Sequence, residues 1–147
     1  MVRITVEASS NYDVLIAEGL LGETGSLAAE VVPPCKVLVA SDDIVTALYS
    51  DTVVHSLQDA GFEVEQFTFP HGEKSKNLQT LNSLLEYAAK KQLTRQSLFV
   101  ALGGGITGDL TGFAAAVYQR GAGYIQIPTT FLAAIDSSAG GKTAVNL

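Results

Sequence analysis

Residues 97–109 read SLFVALGGGITGD, and this stretch decides the fold. Residues 97–102 form a short apolar run with the length and composition of a buried strand. Three consecutive glycines follow, and then Leu110, Phe113, Ala114 and Val117 recur at helical spacing. A buried strand, a glycine-rich loop and a helix are the first half of a βαβ unit, so we expect a parallel sheet.

The same alternation extends in both directions from this stretch. Apolar strands are predicted at residues 36–40, 63–69 and 124–127, and helices at residues 20–31, 44–60 and 77–92. The amino-terminal residues 2–8 and 12–17 have the alternating pattern of a β-hairpin. The sequence therefore predicts one α/β domain over residues 1–147. It combines a Rossmann-like parallel sheet flanked by helices with an N-terminal β-hairpin.

Composition restricts the classes of partner. The 147 residues are 47% hydrophobic and carry a formal net charge of -6, which is typical of a folded acidic domain and disfavours nucleic acid. No apolar run reaches the roughly 18 residues needed to span a membrane, so we expect no membrane partner and a cytoplasmic location. Cys35 is the only cysteine, which excludes a disulfide within the chain.

Ligands of parallel α/β sheets bind beyond the carboxyl ends of the strands, which directs attention to the loops. Gly103, Gly105 and Gly108 match the pattern G-x-G-x-x-G, and the amides that follow could cradle a diphosphate. The loop does not follow the first strand of the sheet, and no acid ends the next strand, unlike an ordinary Rossmann unit. We therefore expect a dinucleotide site of another design; a tight turn without a ligand is the alternative.

Two further loops carry charged side chains. Residues 70–76 read PHGEKSK, where Glu73 could accept hydrogen bonds from a ribose and Lys76 could offset a phosphate charge. A solvated charged turn is the other interpretation of this loop. Asp42 and Asp43 follow the strand at residues 36–40, and an acid there either holds ribose hydroxyls or caps the next helix.

The carboxyl-terminal residues 136–143 read DSSAGGKT and end like a P-loop. A P-loop requires glycine where Asp136 stands, so a triphosphate site is rejected. Asp136, Lys142 and Arg120 instead supply one acid and two bases for a small anionic polyol. His55 and His71 lack the spacing of metal ligands, and we expect no metal site on this chain.

Residues 102–146 closely resemble the 3-dehydroquinate synthase family. The motifs GGGxxGD, FAA, YxRG, PTT and DSSxGGKTAVN occur in the family's order and at close to its spacing. The P-x-G-E-x-x-K segment at residues 70–76 fits as well, whereas the first half of the chain fits in architecture more than in motif.

The resemblance implies a lyase of the shikimate pathway that converts DAHP, a seven-carbon keto-acid sugar phosphate, to 3-dehydroquinate and phosphate. It implies NAD as a cofactor used catalytically and a divalent metal, zinc or cobalt. No catalytic residue is assigned to this chain. Carried over by position, the cofactor contacts would be Asp42, Gly72, Glu73, Lys76, Gly105, Ile106, Thr107, Gly108, Asp109, Thr129, Thr130 and Lys142. The substrate contacts would be Arg120, Asp136 and Lys142.

This chain also differs from the family in length. The family has a second, helical domain that holds the metal and several substrate-binding cations, and this chain ends before it. We therefore expect an N-terminal fragment that is inactive alone, in which the metal belongs only to the full-length, homodimeric enzyme.

Three alternatives remain open from the sequence. Cyclases of other sugar phosphates, such as 2-deoxy-scyllo-inosose and valiolone-type synthases, share this plan. A metal-dependent alcohol or glycerol dehydrogenase has a similar nucleotide domain, although residues 136–142 argue against it. A nucleotide-binding module without catalysis is the third.

Overall fold

Four parallel strands form the central sheet of the computed structural model, which describes every residue from Met1 to Leu147. The strands are β3 (Lys36–Asp42), β4 (Glu63–Phe69), β5 (Leu98–Gly103) and β6 (Gly123–Pro128). A separate antiparallel hairpin joins β1 (Val2–Val6) to β2 (Tyr12–Ile16). The α-helices are α1 (Thr24–Val31), α2 (Asp43–Val45), α3 (Asp51–Asp59), α4 (Leu78–Lys90) and α5 (Gly105–Val117). The predicted Rossmann-like α/β class and hairpin are confirmed, and no helix is long and apolar enough to cross a membrane.

The strand order is β4-β3-β5-β6, so the direction in which successive strands are added to the sheet reverses after β4. After β3 the chain moves outward to β4, and it then returns to the other side of β3 to form β5. Loops on either side of this reversal leave a crevice between them at the carboxyl ends of the strands.

Alternating side chains divide the core into two layers. Val37 and Val39 of β3 pack with α1 and α3, whereas Leu38 and Ala40 pack with α4 and α5. Residues 98–103 of β5 are all buried because this strand has a neighbour on each side and helices on both faces.

Some predicted apolar positions lie outside the core. Leu78 of α4 and Val117 of α5 fit the apolar spacing of their helices, but their exposed fractions are 51% and 48%. They are the first residue of α4 and the last of α5.

Helix α1 crosses α3 at Gly25, where the two backbones nearly touch. A Cβ on Gly25 would lie 1.9 Å from the Ser56 carbonyl oxygen, and the Gly25 amide donates to Ser56 Oγ at 2.9 Å. The glycine that weakens the helical pattern in the sequence is therefore required by packing.

We predict that Gly25→Ala destabilises the fold by about 3 kcal/mol, because the added carbon forces the two helices apart. Gly22→Ala is the control, since nothing lies within 4 Å of a Cβ there. Denaturant unfolding of both variants checks this prediction, and equal stabilities would contradict it.

Candidate functional site

A cleft of about 280 Å³ opens at the carboxyl edge of the sheet, where the loops after β4, β5 and β6 meet. Its walls contain many of the residues singled out from the sequence. The lining residues are Glu73, Lys76, Gly105, Ile106, Asp109, Thr130, Leu132, Ala133, Asp136 and Ser137. The structure therefore brings together three loops that are far apart in the sequence.

The loop after β4 is held rigidly against the cleft. Gly72 has a φ of +100°, which turns the chain into the short 3-10 helix Glu73–Ser75. The Ser75 hydroxyl donates to the Pro70 carbonyl, and Asn77 caps α4 by accepting from the Thr80 amide at 2.8 Å. Glu73 and Lys76 are thus presented from a turn with fixed ends.

The loops after β3 and β4 are tied together by a contact that the sequence did not predict. The His71 amide and ring Nδ1 lie 2.8 and 2.9 Å from Asp43 Oδ1. The hydrogen bonds from the His71 side chain and amide lower the pKa of the Asp43 carboxyl. Asp42 caps α2 through Oδ1, which accepts from the Val45 amide at 2.8 Å. The capping alternative is therefore realised, and Asp42 lies outside the cleft lining.

An ion pair joins the β4 loop to α5. Lys76 Nζ lies 2.6 Å from Asp109 Oδ2, and the two side chains are only 18% and 19% exposed. Partial burial limits screening by water, so this contact is stronger than a surface ion pair. It fixes Lys76 beside the first turns of α5.

Two glycines of the G-x-G-x-x-G pattern are packed closely against neighbouring side chains. A Cβ on Gly103 would lie 2.4 Å from Thr107 Oγ1, and one on Gly108 would lie 2.2 Å from Gln126 Nε2. The Gly108 amide donates to the Gly104 carbonyl at 3.0 Å. Gly108 is buried and its amide is already used, so the structure does not bring it to the cleft surface.

Gly105 lines the cleft, and Gly104 lies beside Thr130 of the cleft wall. A Cβ on Gly104 would lie 3.3 Å from Thr130 Cγ2, and one on Gly105 would lie 3.3 Å from Ser137 Oγ. The amides of Gly105, Ile106 and Thr107 occupy the first turn of α5, where no intrahelical acceptor exists. They provide the anion-binding end of a helix directly at the cleft.

The carboxyl-terminal segment closes one side of the site. The Asn146 side chain donates to Glu73 Oε1 at 2.8 Å, and its amide donates to the Lys76 carbonyl at 2.9 Å. Sequence reasoning missed this role for Asn146, because no pattern within one sequence links residues 73 positions apart.

Other predicted residues lie elsewhere. Thr129 anchors the end of β6 by donating its amide to the Gly103 carbonyl at 2.9 Å. Lys142 is exposed and does not line the cleft. Arg120 follows the end of α5, which spans roughly 20 Å from the cleft toward the amino edge of the sheet. Within one chain, Arg120 and Lys142 therefore add no positive charge to the cleft.

The residues fit a dinucleotide but not a metal ion. Free amides at a helix start, a nearby lysine and two carboxylates are the groups that diphosphate and ribose require. No three His, Cys, Asp or Glu side chains come together in a set that could hold a metal.

Tyr124 lies behind the first turns of α5, and its hydroxyl donates to the Gly108 carbonyl at 2.9 Å. Burial and, second, the negative charge of Asp109 raise the pKa of the Tyr124 phenol well above its usual value. The tyrosine is therefore a neutral donor that supports the first turns of α5.

The comparisons with known proteins agree with this geometry. The family model described as 3-dehydroquinate synthase N-terminal matches residues 66–147. A 3-dehydroquinate synthase of Streptococcus suis (strain 05ZYH33) is 47% identical over 146 residues. That alignment covers 99% of this chain but 41% of the relative, so the chain spans about two fifths of its length.

Solved structures of related cyclases superimpose closely. A 2-deoxy-scyllo-inosose synthase complexed with carbaglucose-6-phosphate, NAD+ and Co2+ gives a TM-score of 0.89 at 30% identity. A 2-epi-5-epi-valiolone synthase from Streptomyces hygroscopicus with NAD+ and Zn2+ gives 0.82 at 27%. The alignments cover 99% of this chain and 40% of each of those chains. A glycerol dehydrogenase from Schizosaccharomyces pombe, at 21% identity and a TM-score of 0.60, covers 75% of this chain and 25% of that one and shares the fold alone.

We predict that Tyr124 stays protonated in the folded chain at a pH where a free phenol, with a pKa of about 10, ionises. The unfolded chain then loses this proton first, so Tyr124 makes stability fall as the pH rises through about 10. Ultraviolet phenolate titration of the wild type and Tyr124→Phe checks this. The titration curves of the two folded proteins should coincide near pH ~10, because Tyr124 is not ionised there. In denaturant, the wild-type curve should show one more phenolate than the curve of Tyr124→Phe. A difference between the folded proteins near that pH would contradict the assignment.

Proposed function

Because the chain belongs to the 3-dehydroquinate synthase family, we propose that it forms the NAD-binding part of an enzyme that converts DAHP to 3-dehydroquinate and phosphate. In this proposal residues 1–147 are one NAD-binding domain of a longer, homodimeric enzyme. The observation that carries it is the cleft in which the Lys76–Asp109 pair faces the first-turn amides of α5.

Different cleft residues contact different parts of the cofactor. The amides of Gly105 to Thr107 and the Lys76 ammonium group hold the diphosphate, because each carries positive charge or free donors. Glu73 and Asp109 accept hydrogen bonds from ribose hydroxyls. Ile106 supplies apolar surface beside them. Held by these residues, NAD would supply reversible hydride transfer to the reaction.

The same cleft is poorly suited to hold the substrate without further groups. Its walls carry the carboxylates of Glu73, Asp109 and Asp136 but only one cation, Lys76. DAHP carries a phosphate and a carboxylate, which such a surface repels. We propose that Asp136 contacts a substrate hydroxyl. Most of the cationic side chains that bind the substrate, and all metal ligands, come from outside this cleft.

Cyclisation of another sugar phosphate is the second candidate function. The match to 2-deoxy-scyllo-inosose synthase covers 99% of this chain, and that enzyme was solved with a hexose 6-phosphate analogue. The 47% identity to a 3-dehydroquinate synthase favours DAHP. Assaying a complete enzyme that contains this chain with DAHP and with glucose 6-phosphate separates the two.

A cytoplasmic setting is part of the proposal, and the single cysteine, Cys35, needs no oxidising compartment. The thiol is half-buried, and burial raises its pKa, so it stays protonated and unreactive.

We predict that Lys76→Ala weakens binding of NAD to this chain at least about tenfold, because a charge-assisted contact is worth roughly 1.5–3 kcal/mol. Lys74→Ala is the matched control, since Lys74 lies in the same turn but is exposed and outside the cleft. Calorimetric titration with NAD measures both. Equal affinities would contradict the assigned site, and an absence of binding by the wild type would contradict the proposed function.

The proposed role of Lys142 requires a complete enzyme. There, Lys142→Ala should lower kcat/KM for DAHP at least about tenfold, because a cation between cofactor and substrate is lost. Lys90→Ala removes the same charge from the exposed end of α4 and should have little effect. If the two variants behave alike, Lys142 does not join the site.

A further inference from the structure

Ser137 is a cleft residue that belongs to the DSSxGGKTAVN motif but has been given no role so far. It ends the helical turn Ala133–Ser137 after β6, and it lines the cleft with Lys76, Asp109 and Gly105. Its hydroxyl oxygen is buried and has no hydrogen-bond partner in the protein. A buried hydroxyl without a partner is destabilising, so this position calls for a polar ligand atom.

The other hydroxyls of this turn are satisfied. Ser138 Oγ donates to the Ala134 carbonyl at 3.2 Å, and Thr130 Oγ1 accepts from the Ala133 amide at 3.2 Å. Two further buried polar atoms lack partners, on Thr111 and Gln126, but neither residue lines the cleft. Among the residues that line the cleft, Ser137 therefore has the one buried side-chain polar atom without a protein partner.

The position of the Ser137 oxygen indicates the kind of ligand atom that it would meet. Ser137 Oγ lies 3.3 Å from the position of a Cβ on Gly105, the first residue of α5. The first-turn amides and the Lys76 ammonium group are all donors, so a ligand atom bound between them is an acceptor. A hydroxyl beside such an atom donates to it.

We propose that Ser137 Oγ–H donates to a diphosphate oxygen of NAD at the start of α5, and so completes the anion cradle from the opposite wall. This inference rests on the proposed NAD site and deepens it. It assigns the Ser137 turn a binding role toward the diphosphate, whereas Asp136 beside it is assigned to the substrate.

The test compares Ser137→Ala with Ser138→Ala by calorimetric titration with NAD, ADP-ribose and adenosine. Ser137→Ala should weaken NAD and ADP-ribose about tenfold, the effect of one hydrogen bond to a charged group, and leave adenosine binding unchanged. Ser138→Ala should leave all three affinities unchanged, because its hydroxyl is already used within the turn.

Unfolding of the same variants separates ligand binding from a structural role. Ser137→Ala should be as stable as the wild type or more stable, because it removes an unpaired buried hydroxyl. Wild-type NAD affinity in Ser137→Ala, or an equal loss for adenosine, would overturn the inference while leaving the proposed function intact. Ser137→Cys retains the side-chain size with a weak donor, so it should fold normally and still bind NAD more weakly. A wild-type chain that binds neither NAD nor ADP-ribose would overturn the proposed function and this inference together.

Discussion

Burial of β5 on every side is the constraint on which the site depends. Residues 98–103 are all buried between β3 and β6 and beneath helices on both faces. The end of a strand held in this way has a fixed position, and the glycines that follow it lead directly into α5. The amino end of α5 is therefore set at the carboxyl edge of the sheet, opposite the loop from β4. The Lys76–Asp109 pair spans the remaining gap.

The charged groups around the cleft determine which ligand groups it favours in the proposed function. A helix start and one lysine suffice for the diphosphate of a dinucleotide, whose charge is spread over two phosphates. The three carboxylates that surround them suit hydroxyl groups and disfavour a second phosphate. In the proposed function, cofactor and substrate are thus distinguished by charge, and the substrate's negative charge requires cations from outside the cleft.

Much of this arrangement follows from sequence patterns, because strand and helix periods and glycine loops are local signals. The β4 strand lies at residues 63–69 as predicted, and the loops after β4, β5 and β6 meet as the parallel sheet requires. The roles of individual residues were harder to predict, since they depend on contacts across the chain. Gly108 fits the phosphate-binding pattern but faces Gln126, and Arg120 belongs to a family motif but lies beyond the far end of α5. Asn146 and Ser137 acquire their roles only through residues that folding brings beside them.

The central claim is that the start of α5 and the β4 loop form one dinucleotide site. It is tested most directly by titrating the isotopically labelled chain with NAD and following each backbone amide by nuclear magnetic resonance. We expect the amides of Gly105, Ile106 and Thr107 to shift most, together with those of the Glu73 to Lys76 turn, while those of the β1–β2 hairpin stay in place. Saturable shifts centred on the hairpin or on α3, with the start of α5 unchanged, would contradict it.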